Sequence, residues 1–277
     1  MKSIKEIVGQ GLGLTPSPGQ RSSGISGLGA PAEIAEAACP YCHGRGIVFD
    51  GEDQVARPCV CMREQKLANQ FRFARMAKSL RDCRLENFSL RYYTDGSAEK
   101  ATHLENAQKA LKAAEEFLER CRSKPQGLGL LFTGPVGSGK TFLAAAITNG
   151  LIEQGIQVLF LVVPDLLDEL RATYDKRSET MEIDLLDTAR SVPVLVLDDL
   201  GAHNYTEWTR NRLYSIINYR LNEELPTIVT TNLTLQELEE HLGQRTSSRL
   251  VQMTRVFRLT CELDIRLCRY QEREGRK

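Results

Sequence analysis

Apolar residues in the second two thirds of the chain form short, nearly continuous runs that alternate with longer segments of helical periodicity. Such runs are typical of strands that are buried on both faces of a sheet. They cover residues 128–133, 157–163, 192–197, 226–231 and 255–260. Strands that alternate with helices predict an α/β fold, in which a parallel sheet is covered by helices on both faces.

The segments between these runs carry helix signals. Ahead of the first strand, one helix face is formed by Leu104, Ala107, Leu111, Ala114, Leu118 and Cys121. Helices are also predicted at 140–153, from Pro164 onward and at 206–224. A further helix is predicted after Thr234, where Glu237 completes the spacing of a capping box.

The N-terminal third has a different character. Residues 1–38 hold seven of the 21 glycines and show no sustained periodicity, which predicts a flexible arm. A helix is predicted at 62–80, and a joint at 81–98 with Asp95-Gly96 as its turn signal. We therefore expect three parts: the arm, a small module at 39–82 and a larger domain at 83–277.

Composition narrows the class of protein. The 277 residues carry no net charge. Hydrophobic residues make up 42% of the chain and charged residues 26%, a composition that excludes a wholly disordered chain. No run approaches the roughly 18 apolar residues of a membrane span, and the N-terminus lacks the features of a secretory signal. We expect a cytoplasmic protein with no membrane partner. Its charge is uneven, because residues 57–91 and 245–277 each hold nine Lys and Arg, against three and four acids.

The segment between the first strand and its helix matches the phosphate-loop pattern G-x-x-x-x-G-K-[ST]. Its residues are Gly134, Pro135, Val136, Gly137, Ser138, Gly139, Lys140 and Thr141. The glycines allow backbone N–H groups to surround phosphate oxygens at a helix N-terminus. We expect Lys140 to bind the β- and γ-phosphates of ATP and the Thr141 hydroxyl to bind Mg²⁺.

Polar residues end two other predicted strands. Asp198 and Asp199 follow the third strand, where a carboxylate pair is costly to bury without a cation. We expect Asp198 to bind Mg²⁺ and Asp199 to polarise the attacking water, as in a Walker B element. Asn232 ends the fourth strand, where its amide can orient water against the γ-phosphate, although Asn is also common there as a turn residue.

Four of the eight cysteines are clustered. Cys39 and Cys42 form a CxxC pair, and after 16 residues Cys59 and Cys61 form a CxC pair. Four thiolates at this spacing can close a tetrahedral structural Zn²⁺ site, with an iron–sulfur cluster and free thiols as alternatives. A short segment with so little apolar content needs a metal to fold alone, which predicts a small zinc module ahead of the larger domain.

The motifs GPVGSGKT, VLVLDDLG, RNRLYSIINYRLNEELPTIVTTNL and QRTSSRL together resemble the DnaC/DnaI helicase loaders, which are AAA+ ATPases. The related ATPases that assist insertion-sequence transposases share much of this core. The resemblance covers roughly residues 83–277. It implies a P-loop sheet of the ASCE order, in which the sensor strand separates the acidic strand from the phosphate-loop strand. It also implies that the helical lid of larger AAA+ proteins is absent or minimal.

The resemblance assigns roles to three residues. Asn232 matches sensor 1, and Arg249 matches the arginine finger that completes a neighbouring subunit's site. Arg266 falls where these proteins often carry an acid-x-Arg element, which suggests a sensor or structural role. On spacing alone, Arg249 would be interpreted as an arginine on a helix surface.

The resemblance implies ATP-dependent loading of a replicative DNA helicase onto single-stranded DNA, with self-association through the ATPase site. In the family, the N-terminal module contacts the helicase. Two alternatives remain open at this point: an ATPase that assists a transposase, and a zinc adaptor whose ATP site acts as a switch with little hydrolysis.

Overall fold

A computed structural model describes residues 39–40, 42, 47–50, 55–93, 98–175, 179–202 and 205–275. The predicted arm at 1–38 and the predicted turn at Asp95-Gly96 lie outside the described residues.

The N-terminal elements are a short antiparallel hairpin, a helix and a connecting segment of residues 74–93 that contains three 3₁₀ turns. Their bounds are β1 (Ile47–Asp50), β2 (Val55–Pro58), α1 (Val60–Phe73) and the turns Lys78–Leu80, Leu85–Asn87 and Leu90–Tyr93.

The remaining elements alternate between strands and helices for most of their length. Their bounds are α2 (Ala98–Ser123), β3 (Gly129–Thr133), α3 (Lys140–Glu153), β4 (Val158–Val162), α4 (Val163–Asp175), α5 (Glu179–Ser191), β5 (Val194–Asp198), α6 (Glu207–Asn222), β6 (Thr227–Thr231), α7 (Leu235–Leu242), α8 (Gln244–Met253), β7 (Thr254–Arg258) and α9 (Ile265–Arg273).

Five parallel strands form the central sheet in the order β4-β5-β6-β3-β7. The sensor strand β6 therefore lies between the acidic strand β5 and the phosphate-loop strand β3, which confirms the predicted order. The register pairs Thr133 with Thr231 and Val162 with Asp198. Because all five strands run the same way, the phosphate loop, Asp198 and Asn232 meet at one edge of the sheet.

Alternating strand residues contribute to two hydrophobic cores. On one face, Phe132, Val196 and Ile228 pack with buried residues of α2 and α3. On the other face, Leu131 and Val229 pack with buried residues of the helices α4 to α8. This alternation follows from the period of two in a strand and confirms a sheet with helices on both faces.

The predicted helix at 62–80 is too long at its C-terminal end, since α1 ends at Phe73. Beyond it, Arg75 adopts a left-handed conformation, with φ of 57°. The carbonyl of Ala74 accepts a hydrogen bond of 2.9 Å from the Phe160 N–H of β4, which is an edge strand. Pairing with this edge takes the place of another helical turn.

The connecting segment also belongs to the larger core. Ala74 and Met76 are buried in the same cluster as α2 and α3. A domain boundary at residue 82 stays a prediction, but a cut there would remove side chains that pack on the sheet. Among the described residues, α9 is the only helix after β7.

Candidate nucleotide-binding site

The phosphate loop lies between β3 and α3, with the first turn of α3 at Lys140. Gly134 and Gly137 have φ values of 137° and 76°, and neither position has room for a side chain. A Cβ at Gly134 would lie 1.8 Å from the Leu259 carbonyl oxygen, and one at Gly137 would lie 2.1 Å from the Asp264 carboxyl carbon. The glycines therefore allow the chain after β7 to close against the loop.

Lys140 is buried within the loop. Its Nζ donates to the carbonyl oxygens of Gly134 and Pro135 at 2.8 and 2.7 Å. Burial lowers the pKa of Lys140 to about 8, although Asp198 and Asp199 act in the opposite direction. A desolvated ammonium group at a helix N-terminus is suited to an anionic ligand such as a phosphate.

Asp198 is held by two hydroxyl groups. Its Oδ1 accepts hydrogen bonds from Thr230 Oγ1 at 2.6 Å and from Thr141 Oγ1 at 3.0 Å. Burial raises the pKa of Asp198, and the two hydroxyls act against that rise. Thr141 and Asp198, the residues predicted to bind Mg²⁺, are therefore in direct contact, and these oxygen ligands fit that ion.

Asp199 faces the end of the sensor strand. Asn232 Nδ2 donates to Asp199 Oδ1 at 3.1 Å, and the Asp199 N–H donates to Thr230 Oγ1 at 2.9 Å. Asp199 has a φ of 60°, a left-handed conformation that is rare outside glycine and found often at functional sites. Thr230 thus connects the Asp198 carboxylate to the backbone of Asp199, a role that we did not assign from the sequence. Its place at the end of the sensor strand was the available signal.

A cavity of about 600 Å³ connects these residues with an aromatic wall. Besides the residues above, it is lined by Phe88, Tyr92, Tyr93, Phe142, Ile265 and Arg269. This volume is in the usual range for small-molecule and cofactor sites. The aromatic wall was also missed from the sequence, because Phe88, Tyr92 and Tyr93 come from the connecting segment between α1 and α2.

The two predicted arginines lie in different places. Arg266 lines the cavity, close enough to Lys140 to contribute to the lowering of its pKa. Arg249 does not line the cavity. It lies on α8, where its Nε donates to Asn218 Oδ1 at 2.8 Å and its guanidinium group is 4.9 Å from the ring centroid of Tyr214.

The four clustered cysteines meet as predicted. All four Sγ atoms lie within 4.8 Å of one another, with 3.7 Å between Cys39 and Cys59 and 3.4 Å between Cys42 and Cys61. Tetrahedral Zn²⁺ with bonds of about 2.3 Å separates its sulfur ligands by about 3.8 Å, so the donor set fits this ion. The hairpin of β1 and β2 joins the two cysteine pairs, and Cys59 is the N-cap residue of α1.

None of the described helices combines the length and the apolar composition that crossing a bilayer requires.

Comparisons with known proteins identify the family of this chain. A family model described as IstB-like ATP binding protein matches residues 60–254. The replicative helicase loader DnaI of Bacillus subtilis (strain 168) is 34% identical over 127 residues, which cover 46% of this chain and only 40% of DnaI. The replicative helicase loader DnaC of Escherichia coli (strain K12) is 27% identical over 188 residues, which cover 68% of this chain and 71% of DnaC.

Among solved structures, a crystal structure of DnaI is 31% identical, with a TM-score of 0.54, and the match covers 68% of this chain and 94% of that one. A crystal structure of the DnaC helicase loader is 30% identical, also with a TM-score of 0.54, over 67% of this chain and 100% of that one. The chain therefore belongs to the IstB-like ATP binding proteins, and the resemblance to the DnaC/DnaI helicase loaders that its motifs predict is confirmed.

Proposed function

We propose that this protein uses ATP to load a replicative DNA helicase onto single-stranded DNA in the cytoplasm, during initiation or restart of replication. One observation carries the proposal: a phosphate loop, a carboxylate pair and a sensor amide meet at one sheet edge in a chain whose relatives are named replicative helicase loaders. The aligned segment spans less than half of DnaI, so the whole-protein activity is part of the proposal.

The contacts at the sheet edge support a division of roles during ATP hydrolysis. Lys140 binds the β- and γ-phosphates, and Thr141 with Asp198 holds Mg²⁺, which neutralises charge on the phosphates. Asp199 accepts a proton from the attacking water, and Asn232, which donates to the Asp199 carboxylate, orients that water.

Arg249 is proposed to act in a neighbouring subunit. It lies outside its own cavity, and its side chain is held on α8 by Asn218 and Tyr214. A guanidinium group that enters the adjacent site stabilises charge in the transition state. Self-association through the ATPase site is therefore part of the proposed function.

The cysteine cluster is proposed to hold one structural Zn²⁺, since four thiolates leave no open coordination position. The hairpin of β1 and β2, together with the start of α1, then forms the surface that contacts the helicase. The basic segment 245–277 supports binding to single-stranded DNA, which is expected to weaken steeply as salt increases.

The decisive experiment combines copurification with the replicative helicase and ATP turnover with and without single-stranded DNA. We expect the wild type to copurify with the helicase and to hydrolyse ATP. Lys140→Ala should lose nucleotide binding, while Asp199→Asn should retain nucleotide and lose turnover by about 100-fold or more. Lys124→Ala, which changes an exposed lysine after α2, is the control.

The remaining outcomes separate the alternatives. Copurification with a transposase and binding to duplex DNA would favour the transposase-assisting ATPase. Tight ATP binding with no turnover under any condition would favour the zinc adaptor. Near-normal turnover by Lys140→Ala would contradict the assigned site.

A further inference from the structure

Helix α9 has one face on the nucleotide cavity. The Ile265 N–H donates to the Gly137 carbonyl of the phosphate loop at 3.1 Å, and Asp264, which caps α9, lies against the same glycine. Arg269 has its guanidinium group 5.8 Å from the ring centroid of Phe142. Any movement of α9 therefore reaches the phosphate loop and the cavity wall.

Beside the cavity-lining side chains, α9 and the residue ahead of its cap carry exposed apolar side chains. Leu263, Leu267 and Tyr270 are 65%, 61% and 57% exposed, and the two leucines are the most exposed large apolar side chains among the described residues. Leu267 and Tyr270 are three residues apart and lie on one side of α9, and Leu263 lies just ahead of its N-cap residue, Asp264. We call this set of three residues the α9 stripe.

The helix has little to stabilise it within one subunit. It is nine residues long and none of its residues is buried. Isolated helices of that length are marginal in water, since most helix stability in proteins comes from packing an apolar face. Besides the contacts at its N-terminus, α9 is held by Glu272, which accepts from Arg91 at 2.7 Å and Tyr92 at 3.2 Å. Within the described part of the chain, the α9 stripe thus has no packing partner of the kind that an amphipathic helix normally has.

The charges on α9 and α7 favour a second copy of this chain as that partner. Two of the three arginines of α9 line the cavity, which leaves Arg273, three residues after Tyr270, beside the α9 stripe. Helix α7 carries three glutamates and neither lysine nor arginine. On α7, Leu235, Glu239 and Glu240 are exposed, so that helix offers apolar and acidic groups together. Helix α7 leads through Gly243 directly into α8, which carries Arg249.

We propose that the α7 face of a second copy covers the α9 stripe in the nucleotide-bound assembly. The proposal rests on the self-association included in the proposed function, because a subunit that brings Arg249 to a neighbouring cavity also brings α7 close to that neighbour's α9. The contact is head-to-tail, since the two faces belong to different parts of the surface. Nucleotide and second copy contact the same helix, so each strengthens binding of the other.

The test measures assembly and nucleotide affinity separately. Sedimentation in the presence of the ATP analogue AMPPCP measures the protein concentration at which subunits assemble. We expect this concentration to be about tenfold or more higher for the double variant Leu267→Ser/Tyr270→Ser than for the wild type. Its affinity for AMPPCP as a dilute single subunit should stay within about twofold, because neither residue lines the cavity. Ile183→Ser, which changes an exposed apolar residue of α5, should leave both quantities unchanged.

A mixing experiment tests the direction of the contact. The variant Leu235→Ser/Glu239→Lys disrupts α7 and leaves α9 intact, so it should also fail to assemble alone. A mixture of this variant with Leu267→Ser/Tyr270→Ser should form pairs through the one intact interface. Circular dichroism with thermal unfolding verifies that each variant is folded.

Three results would overturn the proposal. If the α9 variant assembles at the same concentration as the wild type, the α9 stripe is not the interface, although self-association in the proposed function stands. A mixture that forms no pairs leads to the same conclusion. A wild type that stays monomeric with AMPPCP at all concentrations would reject self-association in the proposed function together with this inference.

Discussion

Lys140 illustrates how one residue can serve two states of the site. Its ammonium group is surrounded by loop carbonyls, and burial lowers its pKa from an ordinary value of 10.5 to about 8. A bound phosphate chain favours the charged form, so nucleotide binding should raise this pKa again. Near pH 8 the protein should therefore take up protons when it binds nucleotide, and its affinity should decline as the pH rises above about 8.

Calorimetric titration with MgATP in buffers of different ionisation enthalpy measures this proton uptake. The uptake should fade below pH 7, where Lys140 is charged in both states, and Lys124→Ala should not change it. The same pKa predicts that the free energy of unfolding rises from about pH 8 to 10.5, because the unfolded chain then binds more protons than the native one. Uptake that is independent of pH would contradict the shifted pKa of Lys140.

Arg220 is also a buried cation, but its hydrogen bonds connect elements of the fold. It is 0% exposed, and among the described residues it makes no hydrogen bond to a carboxylate. Its guanidinium group donates to backbone carbonyls at the end of α5 and just before β5 and β6. Its Nε donates to Thr227 Oγ1 at 2.8 Å, and burial lowers its pKa to about 9. One side chain thereby connects α5, β5, α6 and β6.

We expect Arg220→Met to lower the free energy of unfolding by about 3 kcal/mol or more, since several buried carbonyl groups lose their donors. Urea unfolding measures the loss, and Arg210→Met on the exposed side of α6 should change stability by less than about 0.5 kcal/mol. An Arg220→Met variant as stable as the wild type would show that water replaces these bonds. The sequence alone does not distinguish Arg220 from an arginine on a helix surface, because a pattern does not show where backbone carbonyls converge.

At the scale of elements, the connecting segment of residues 74–93 links α1 to the phosphate loop. Asn149 of α3 holds it through Nδ2, which donates to the carbonyls of Leu80 and Cys83 at 2.9 and 2.7 Å. At its end, the Tyr93 hydroxyl donates to the Ser138 carbonyl at 2.7 Å. The aromatic wall and the phosphate loop are therefore positioned by the same segment.

Tyr93→Phe should weaken nucleotide binding by about five- to tenfold, since it removes one buried hydrogen bond of about 1 kcal/mol and leaves the ring packed against Phe88. Fluorescence titration with a labelled ATP analogue measures the affinity. Tyr219→Phe, on the exposed side of α6, is the control. Unchanged affinity together with reduced stability would assign Tyr93 to the core alone.

The elements that the sequence predicts are those with a strong apolar period. The five strands and α3, α6 and α7 agree with the predicted positions to within a few residues. All of these elements except the edge strand β7 bury apolar side chains at regular spacing. Helix α9 could not be predicted in this way, since it buries none of its own residues. The loop and carboxylate motifs located the candidate site at one edge of the sheet, but Thr230 and Tyr93 act through hydrogen bonds that no spacing reveals.

At the scale of the molecule, the cysteine cluster and the ATPase core are joined through α1. Cys59 and Cys61 lie at the N-terminal end of this helix, whereas Leu67 and Phe71 near the other end pack against the core beside Ala74. The two ends of α1 therefore have different supports, the proposed Zn²⁺ at one and the sheet at the other. Loss of metal should release the hairpin and the first turn of α1 while the end that packs on the sheet stays in place.

We therefore expect the variant Cys59→Ser/Cys61→Ser to contain well under one zinc per chain, to bind nucleotide within about twofold of the wild type, and to lose binding to the helicase. Elemental analysis, titration with AMPPCP and copurification measure the three quantities, and Cys268→Ser, outside the cluster, is the control.

Zinc affinity of the wild type should fall at low pH, because the ligands must lose their protons to bind. Substantial iron with visible absorbance in the wild type would reject zinc. A loss of nucleotide binding in the double variant would show that the metal supports the ATPase core through α1, so that the two parts do not fold independently.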